Sequence, residues 1–405
     1  MYILLIILLG YLIYYKFISL IAKEQSEESY QNYQKISEKN TFIKMSTPKN
    51  MRKFSLISDE INTIPYFIAN SLRLFNGNVL FDVITKTSSL LETSNIESVN
   101  TNTYDFGICT EYALLKLNQS KQLEKYKNTK VVCSFNKSYL FLIVRDNSKI
   151  NSIVNLVGKI VGINSTKSES YSILNELCEI LGFTLINITE KNVEDSETKT
   201  IYFKTDEINV LFTDFYNNTV QCLFVVSSHN LPYLFSLTDR LPVRFLDIIE
   251  PELDQFNKHT SNEYFFLTRE RINIDSYNTL NSSRYLDTFY TKNVLICNSE
   301  IPDEQIYNIT KNVFDNIDVI KNFLIQQGRN YFDERYDPFY HDFKREYMVY
   351  NNYKLNIHDG ALQYYEEINM FTQEDNLCRF NNAMCNVYPF EKIKSKTKTL
   401  HSIFN

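Results

Sequence analysis

The chain has 405 residues, 44% of them hydrophobic, enough for two lobes and a sizeable core. Its net charge of −6 argues against nucleic acid as the main partner. The seven cysteines include no CxxC pair, which excludes a disulfide framework and points to buried free thiols; the closest two, Cys378 and Cys385, leave one disulfide open.

Taken in order, the chain opens with an apolar stretch, Tyr2–Ala22, in which Lys16 is the only charge. Its length, about 21 residues, suits a bilayer span. It has no basic leader and no small-residue cleavage site, so residues 1–22 read as an uncleaved, single-pass transmembrane anchor. Lys16 and Lys23 lie towards its C-terminal side, and the positive-inside rule then favours a cytoplasmic body, although the side of the body stays open. Residues 23–50 are polar and read as a stalk.

The body begins with a short strand at Phe54–Ile57. A helix through Tyr66–Phe75 follows, with Ile68, Leu72 and Phe75 on one face, then a strand at Val79–Ile84. Asn95–Val99 reads as a helix, Asp105–Cys109 as a strand and Glu111–Leu117 as a helix. Val131–Phe135 and Leu140–Val144 read as two strands, the second passing into another lobe. Ile208–Phe212 and Cys222–Val226 have the apolar character of buried strands, and a helix begins near Leu231–Leu237. Val243–Leu246 and Lys292–Cys297 complete the strands. After Pro302, Ile306, Ile309, Val313, Phe314 and Ile317 mark an amphipathic helix. Strands alternating with helices predict an α/β fold with largely parallel sheets.

The most informative stretch is Gly158–Phe183. Lys159–Ile163 reads as a buried strand and Asn164–Ser168 as a polar turn. From Glu169, residues Ile173, Leu174, Leu177, Ile180 and Leu181 line one helix face, and Gly182 stands at a C-cap position before a strand at Thr184–Ile188. A helix that starts near Ser168 directs unpaired N–H groups and a positive dipole end past a strand end, a setting for a carboxylate or phosphate. Ser165, Thr166 and Ser168 add hydroxyls. A capped βα turn with no ligand accounts for the same pattern.

No catalytic constellation is present. The five histidines are far apart and none has a metal-ligand partner at i+3 or i+4. His358 beside Asp359 reads as a surface pair, and no GxSxG, P-loop, HExxH or GxGxxG occurs. The expectation is a non-enzyme with no cofactor or metal. After Met370, Lys392, Lys394, Lys396 and Lys398 alternate with small residues in a solvated tail.

Six stretches, in order, resemble the TAXI family of solute receptors that serve TRAP transporters. They are Asn62–Phe75, Asn95–Ala113, Ile150–Ser170, Cys222–Leu237, Lys292–Asn316 and Leu355–Glu367. Within them NTYDFGICTEYA is similar to that family's Asp-Leu-Gly-Ile-Val-Gln strand, and NLVGKIVGINSTKS to its Leu-Lys-Gly-Lys-Arg-Val strand and turn. The resemblance implies a two-lobed type II periplasmic-binding-protein-like fold. Lobe 1 would take residues 51–140 and return over 263–370 with the closing helices, lobe 2 would take 141–262, and 371–405 would be the tail. A small carboxylate or amino-acid-like ligand would then lie between the lobes, held by Thr63, Tyr66, Ser165, Thr166, Lys167, Ser168, Ser227, Ser228 and His229. A membrane protein partner is implied as well.

The chain departs from that family at its glycines. Asn62, Thr63, Ile64 and Pro65 stand in the first loop, Ser165, Thr166, Lys167 and Ser168 in the second, and Ser227-Ser228 before the histidine. Each lost glycine adds a Cβ where a ligand needs room. Two functional expectations follow: a membrane-anchored solute-binding protein, or a degenerate binding-protein scaffold reused as a structural or interaction module on a viral or host membrane.

Overall fold

The computed structural model describes residues 53–58, 64–75, 80–85, 94–119, 126–190, 199–229, 232–248, 267–331, 344–350 and 356–370. All fall in one compact unit, Arg52–Asn405. The apolar stretch 2–22, the stalk, Thr63, Cys378, Cys385 and the lysines of the tail lie outside the described residues. Among the described residues no helix is long and apolar enough to cross a membrane.

In chain order the first elements are β1 (Lys53–Ser58), α1 (Ile64–Phe75), β2 (Leu80–Thr85), α2 (Ser94–Asn100), β3 (Phe106–Thr110), α3 (Glu111–Gln119) and β4 (Thr129–Arg145). The middle of the chain gives β5 (Ile160–Ile163), α4 (Glu169–Ile180), β6 (Thr184–Asn187), β7 (Thr200–Thr205), α5 (Ile208–Tyr216), β8 (Cys222–Ser227), α6 (Pro232–Arg240) and β9 (Val243–Leu246). There follow β10 (Thr268–Asn273), β11 (Tyr285–Asn298), α7 (Asp303–Asp315), α8 (Ile317–Tyr331), the short α9 (Arg345–Met348) and α10 (Asp359–Glu367).

One sheet runs β2-β1-β3-β11-β4-β8-β5-β7-β6, with β10 on β11 and β9 on β4. It consists of two half-sheets of matching layout. In the first, β2, β1 and β3 are parallel and β11 is inserted antiparallel between β3 and β4. In the second, β6, β7, β5 and β8 are parallel, and β4 is antiparallel between β8 and β9. The fold is mixed α/β, and two such half-sheets joined by long crossover strands make it periplasmic-binding-protein-like. Antiparallel β4 and β11 depart from the largely parallel pairing expected.

Strand β4 joins the halves. Its first part pairs with β11 from Asn298↔Thr129 to Tyr290↔Tyr139, and its second part pairs with β8 from Tyr139↔Ser227 to Val144↔Cys222. Leu140, Phe141, Leu142, Ile143 and Val144 are fully buried. Burial of each such side chain contributes about 1.5–3 kcal/mol. The break expected between Phe135 and Leu140 does not occur. Asn136, Lys137 and Ser138 contain no turn-forming glycine or proline, and all three are buried within the continuous strand.

Ile208–Phe212 is also not a strand but the start of α5, with Leu211 and Phe215 buried four residues apart and Val210 and Tyr216 exposed. An apolar run of five residues fits either period, and here the i, i+4 pair met the core. The central helix formed as its spacing required. Ile173, Leu174 and Leu177 of α4 are buried, and Gly182 takes φ +71° just past its end, the left-handed conformation that glycine adopts at low cost. The five described cysteines are buried free thiols, and burial pushes that of Cys178 up to about 12.

His358 is not at the surface. It is buried at the N-cap of α10, its Nε2 donating to the Ile301 carbonyl at 3.0 Å and its Nδ1 accepting from the Gly360 N–H at 3.2 Å. A Cβ on Gly360 would come 2.1 Å from the Asp303 carbonyl oxygen, so glycine is what lets α10 lie against the first turn of α7. Gly360→Ala is therefore expected to destabilise the full chain by about 1–3 kcal/mol or more, read as a lower urea midpoint.

Burial holds the His358 pKa below the usual histidine value, outweighing the Asp303 carboxylate 3.6 Å away. The folded state then binds fewer protons here than the unfolded chain, so the contribution is complete at neutral pH and declines as pH falls through the unfolded value of about 6.5. Thermal unfolding from pH 8 to 5 is expected to show that loss. His358→Asn, which retains an N-capping oxygen, is expected to flatten this part of the profile.

Candidate functional site

The carboxyl ends of β3 and β8 arrive at the middle of the crossover strands from opposite sides. Thr110, the last residue of β3, pairs with Asn293 of β11, and Ser227, the last of β8, pairs with Tyr139 of β4. Tyr290 and Tyr139, Thr291 and Ser138, and Lys292 and Lys137 face each other between them. In open α/β sheets ligands bind beyond the carboxyl ends of strands, so this convergence is the candidate site.

A chain of amides crosses it. Asn293 Nδ2 donates to Asn136 Oδ1 at 3.1 Å, and Asn136 Nδ2 donates to Ser228 Oγ at 2.6 Å. All three residues are buried, and the two bonds tie β11, β4 and the segment after β8 together. The Lys137 ammonium donates to both Glu270 carboxylate oxygens, at 2.7 and 2.8 Å, and Tyr139 Oη donates to Glu270 Oε2 at 3.2 Å. Ser134 Oγ donates to the Tyr347 carbonyl at 2.7 Å, which holds α9 against β4.

The residues expected to hold a ligand divide into groups. Ser168 caps α4: its Oγ accepts from the Tyr171 N–H at 3.3 Å and donates to the Ser165 carbonyl at 2.6 Å. Ser165 Oγ in turn accepts from the Lys167 N–H at 3.1 Å, while Thr166 and Lys167 are exposed. Ser170 Oγ accepts from the Val226 N–H at 3.1 Å, which brings this turn beside the end of β8. Ser227 Oγ donates to the Ser228 carbonyl at 3.2 Å. His229 donates from Nε2 to the Asn273 carbonyl at 2.8 Å, its ring set edge-on to Tyr277 and Tyr139. Tyr66 stands on the first turn of α1, its ring centroid 5.8 Å from that of Phe67. The structure thus brings Ser165–Ser168 and Ser227–His229 to the convergence, and Thr63 lies outside the described residues.

Both helices that start at the convergence carry a glutamate at their first position, Glu111 in α3 and Glu169 in α4. A carboxylate there complements the positive helix end. Glu111 is buried and accepts from Tyr350 Oη at 3.0 Å, and burial with the adjacent Glu111 pushes the Tyr350 pKa well above its usual value.

A second link joins the helices of the two half-sheets. Tyr112 Oη of α3 donates to Glu176 Oε2 of α4 at 2.7 Å, and Lys116 Nζ donates to Tyr112 Oη at 3.2 Å. Lys137, Glu270, Tyr112 and Glu176 are not among the residues that the sequence marks for a site. Only the polar interruption SFNKSY between two apolar runs signalled the first of them, whereas the others depend on residues far apart in the chain.

Among the described residues no group of three His, Cys, Asp or Glu side chains is placed to hold a metal ion. A pocket lined by Ile96, Leu114, Leu117, Tyr126, Thr129, Val131 and Asn356 lies within the first half-sheet, away from the convergence.

Burial raises the Glu176 pKa above the usual carboxylate value, against the lowering by Tyr112 and Lys116. The folded state then holds the proton more tightly than the unfolded chain, and the ionised group costs stability above that range. Glu176→Gln retains an acceptor for Tyr112 and removes the charge. Its thermal midpoint is expected to exceed that of the wild type at pH 7, with the gain fading as pH falls through the carboxylate range.

Comparison with known proteins places this geometry in context. The sequence model of a family described as the NMT1-like family matches residues 71–368. No curated protein matches the chain by sequence. Among solved structures, the periplasmic sulfonate-binding protein SsuA of a putative sulfonate ABC transporter from Methylobacillus flagellatus KT superposes with a TM-score of 0.45 at 13% identity, over 80% of this chain and 96% of that one. A putative L-cystine ABC transporter protein from Listeria monocytogenes gives 0.39 at 11% identity, over 71% and 98%. The GluR0 ligand-binding core from Nostoc punctiforme, in complex with L-glutamate, gives 0.38 at 12%, over 69% and 99%.

Proposed function

The chain belongs to the NMT1-like family, and on that premise we propose that it is a non-enzymatic solute-binding protein whose small ligand sits at the convergence of β3 and β8. The observation that carries this reading is the register. Thr110↔Asn293 and Tyr139↔Ser227 bring the carboxyl ends of two half-sheets to one polar segment of the crossover strands. Hydroxyl and amide groups from both halves meet there, in the place where α/β folds hold small molecules.

The ligand we propose is a small carboxylate or amino-acid-like solute, contacted by the turn Ser165–Ser168, by Ser227–His229 and by Tyr66 at the start of α1. Residues 2–22 would tether the protein to a membrane, where a transporter of the kind served by TAXI receptors is the partner.

A specific observation favours a second reading. Glu111 and Glu169 occupy the first positions of the two helices that would greet an anion, and Glu270 is engaged by Lys137. A convergence whose charges are met by its own side chains suits a binding-protein scaffold reused as an interaction module on a membrane.

Thermal unfolding of the full chain against amino acids, small carboxylates and alkanesulfonates separates the two. A ligand that binds only the folded state stabilises it by about 2.7 kcal/mol at a hundredfold excess over its dissociation constant. The first reading expects a saturable rise for one class of solute, lost in Ser168→Trp. No rise across the panel leaves the second.

A further inference from the structure

The Lys137 side chain is only 6% exposed, and its ammonium is surrounded on several sides. Besides the two bonds to Glu270, it lies 4.5 Å from the ring centroid of Tyr290 and 4.9 Å from that of Tyr347. One carboxylate and two aromatic faces are the chemistry by which proteins bind a free ammonium group. The four residues come from β4, β10, β11 and α9, so the cage exists only in the folded chain.

The strand role of position 137 does not explain a lysine. Its neighbours along β4 are buried, and an apolar side chain of similar length would fill the same space without the desolvation cost of a buried charge. Glu270 likewise sits in β10, on a strand that pairs regularly with β11. The pairing of charge with cage is therefore a feature additional to the sheet.

We propose that Glu270, Tyr290 and Tyr347 form a binding site for a primary ammonium group, which the chain fills with its own Lys137 as a tethered occupant. The native protein is then closed to soluble amines at this position, and removal of the tether opens it to them. The inference stands on the cage geometry and holds whether or not the chain carries a free solute.

Lys137→Ala in the full chain deletes the atoms from Cγ to Nζ, which n-propylammonium replaces atom for atom. The variant is expected to unfold at a lower temperature than the wild type. Titration with n-propylammonium chloride is expected to restore several degrees in a saturable manner, while the wild type responds no more than to sodium chloride of equal ionic strength. An alanine variant that folds only in n-propylammonium supports the proposal equally. Equal shifts in both proteins, the same restoration by uncharged n-propanol, or a variant that n-propylammonium leaves unfolded overturns it. Lys137→Met supplies a further check, since with the stem in place n-propylammonium is expected to restore nothing, and restoration there also overturns the cage.

Discussion

The pairing of β4 with β11 on one side and β8 on the other is the constraint on which the rest of the structure depends. Neither half-sheet is complete without it, because β4 closes the first half along its N-terminal part and is inserted into the second along its C-terminal part. The strand can run through both only if it stays extended over 17 residues with its polar middle buried. Buried polar groups need partners, and three of those here find them on other elements: Asn136 with Asn293 and Ser228, Lys137 with Glu270, Ser134 with the backbone of α9. Thr288 Oγ1 adds a bond to the Leu140 carbonyl at 2.6 Å. Removal of one partner from such a network leaves the others desolvated and unbonded, which costs more than the bond itself contributes.

The same network gives the convergence its chemical character. In a two-half α/β sheet, helix N-termini and strand ends collect unpaired donors at one place, and that place attracts anions. Here the chain supplies carboxylates of its own. Glu111 and Glu169 sit at the two helix starts, and Ser168 and Ser165 use their hydroxyls on the turn that contains them. The link from Tyr112 to Glu176 adds a contact between helices of the two halves, so their relative position is fixed by side chains as well as by the crossover strands.

The unit around Gly158–Phe183 was legible because all its signals are local. A four-residue apolar run, a serine cap, apolar residues at helical spacing and a glycine past the end require nothing from the rest of the chain, and each was realised. Short apolar runs were less secure. Ile208–Phe212 fits a strand or a helix, and the burial of Leu211 with Phe215 chose the helix. β7 and β10 went unseen: β10 reads TRERIN, with only Ile272 buried, and is a strand because β11 offers it an edge. His358 looked like a surface residue beside Asp359, yet α7 buries it.

By itself, then, the sequence determined the α/β class, most of the individual elements and the serine-rich turn that begins α4, since these follow from periodicity and capping within a few residues. Only the tertiary structure decided that β4 runs unbroken between the halves, that Lys137 lies between Glu270 and two tyrosine rings, and that Tyr112 reaches Glu176. Lys137 and Glu270 are 133 residues apart, Tyr112 and Glu176 are 64 apart. No local pattern encodes such pairs, because what brings them together is strand register, which the burial of the whole sheet sets at once.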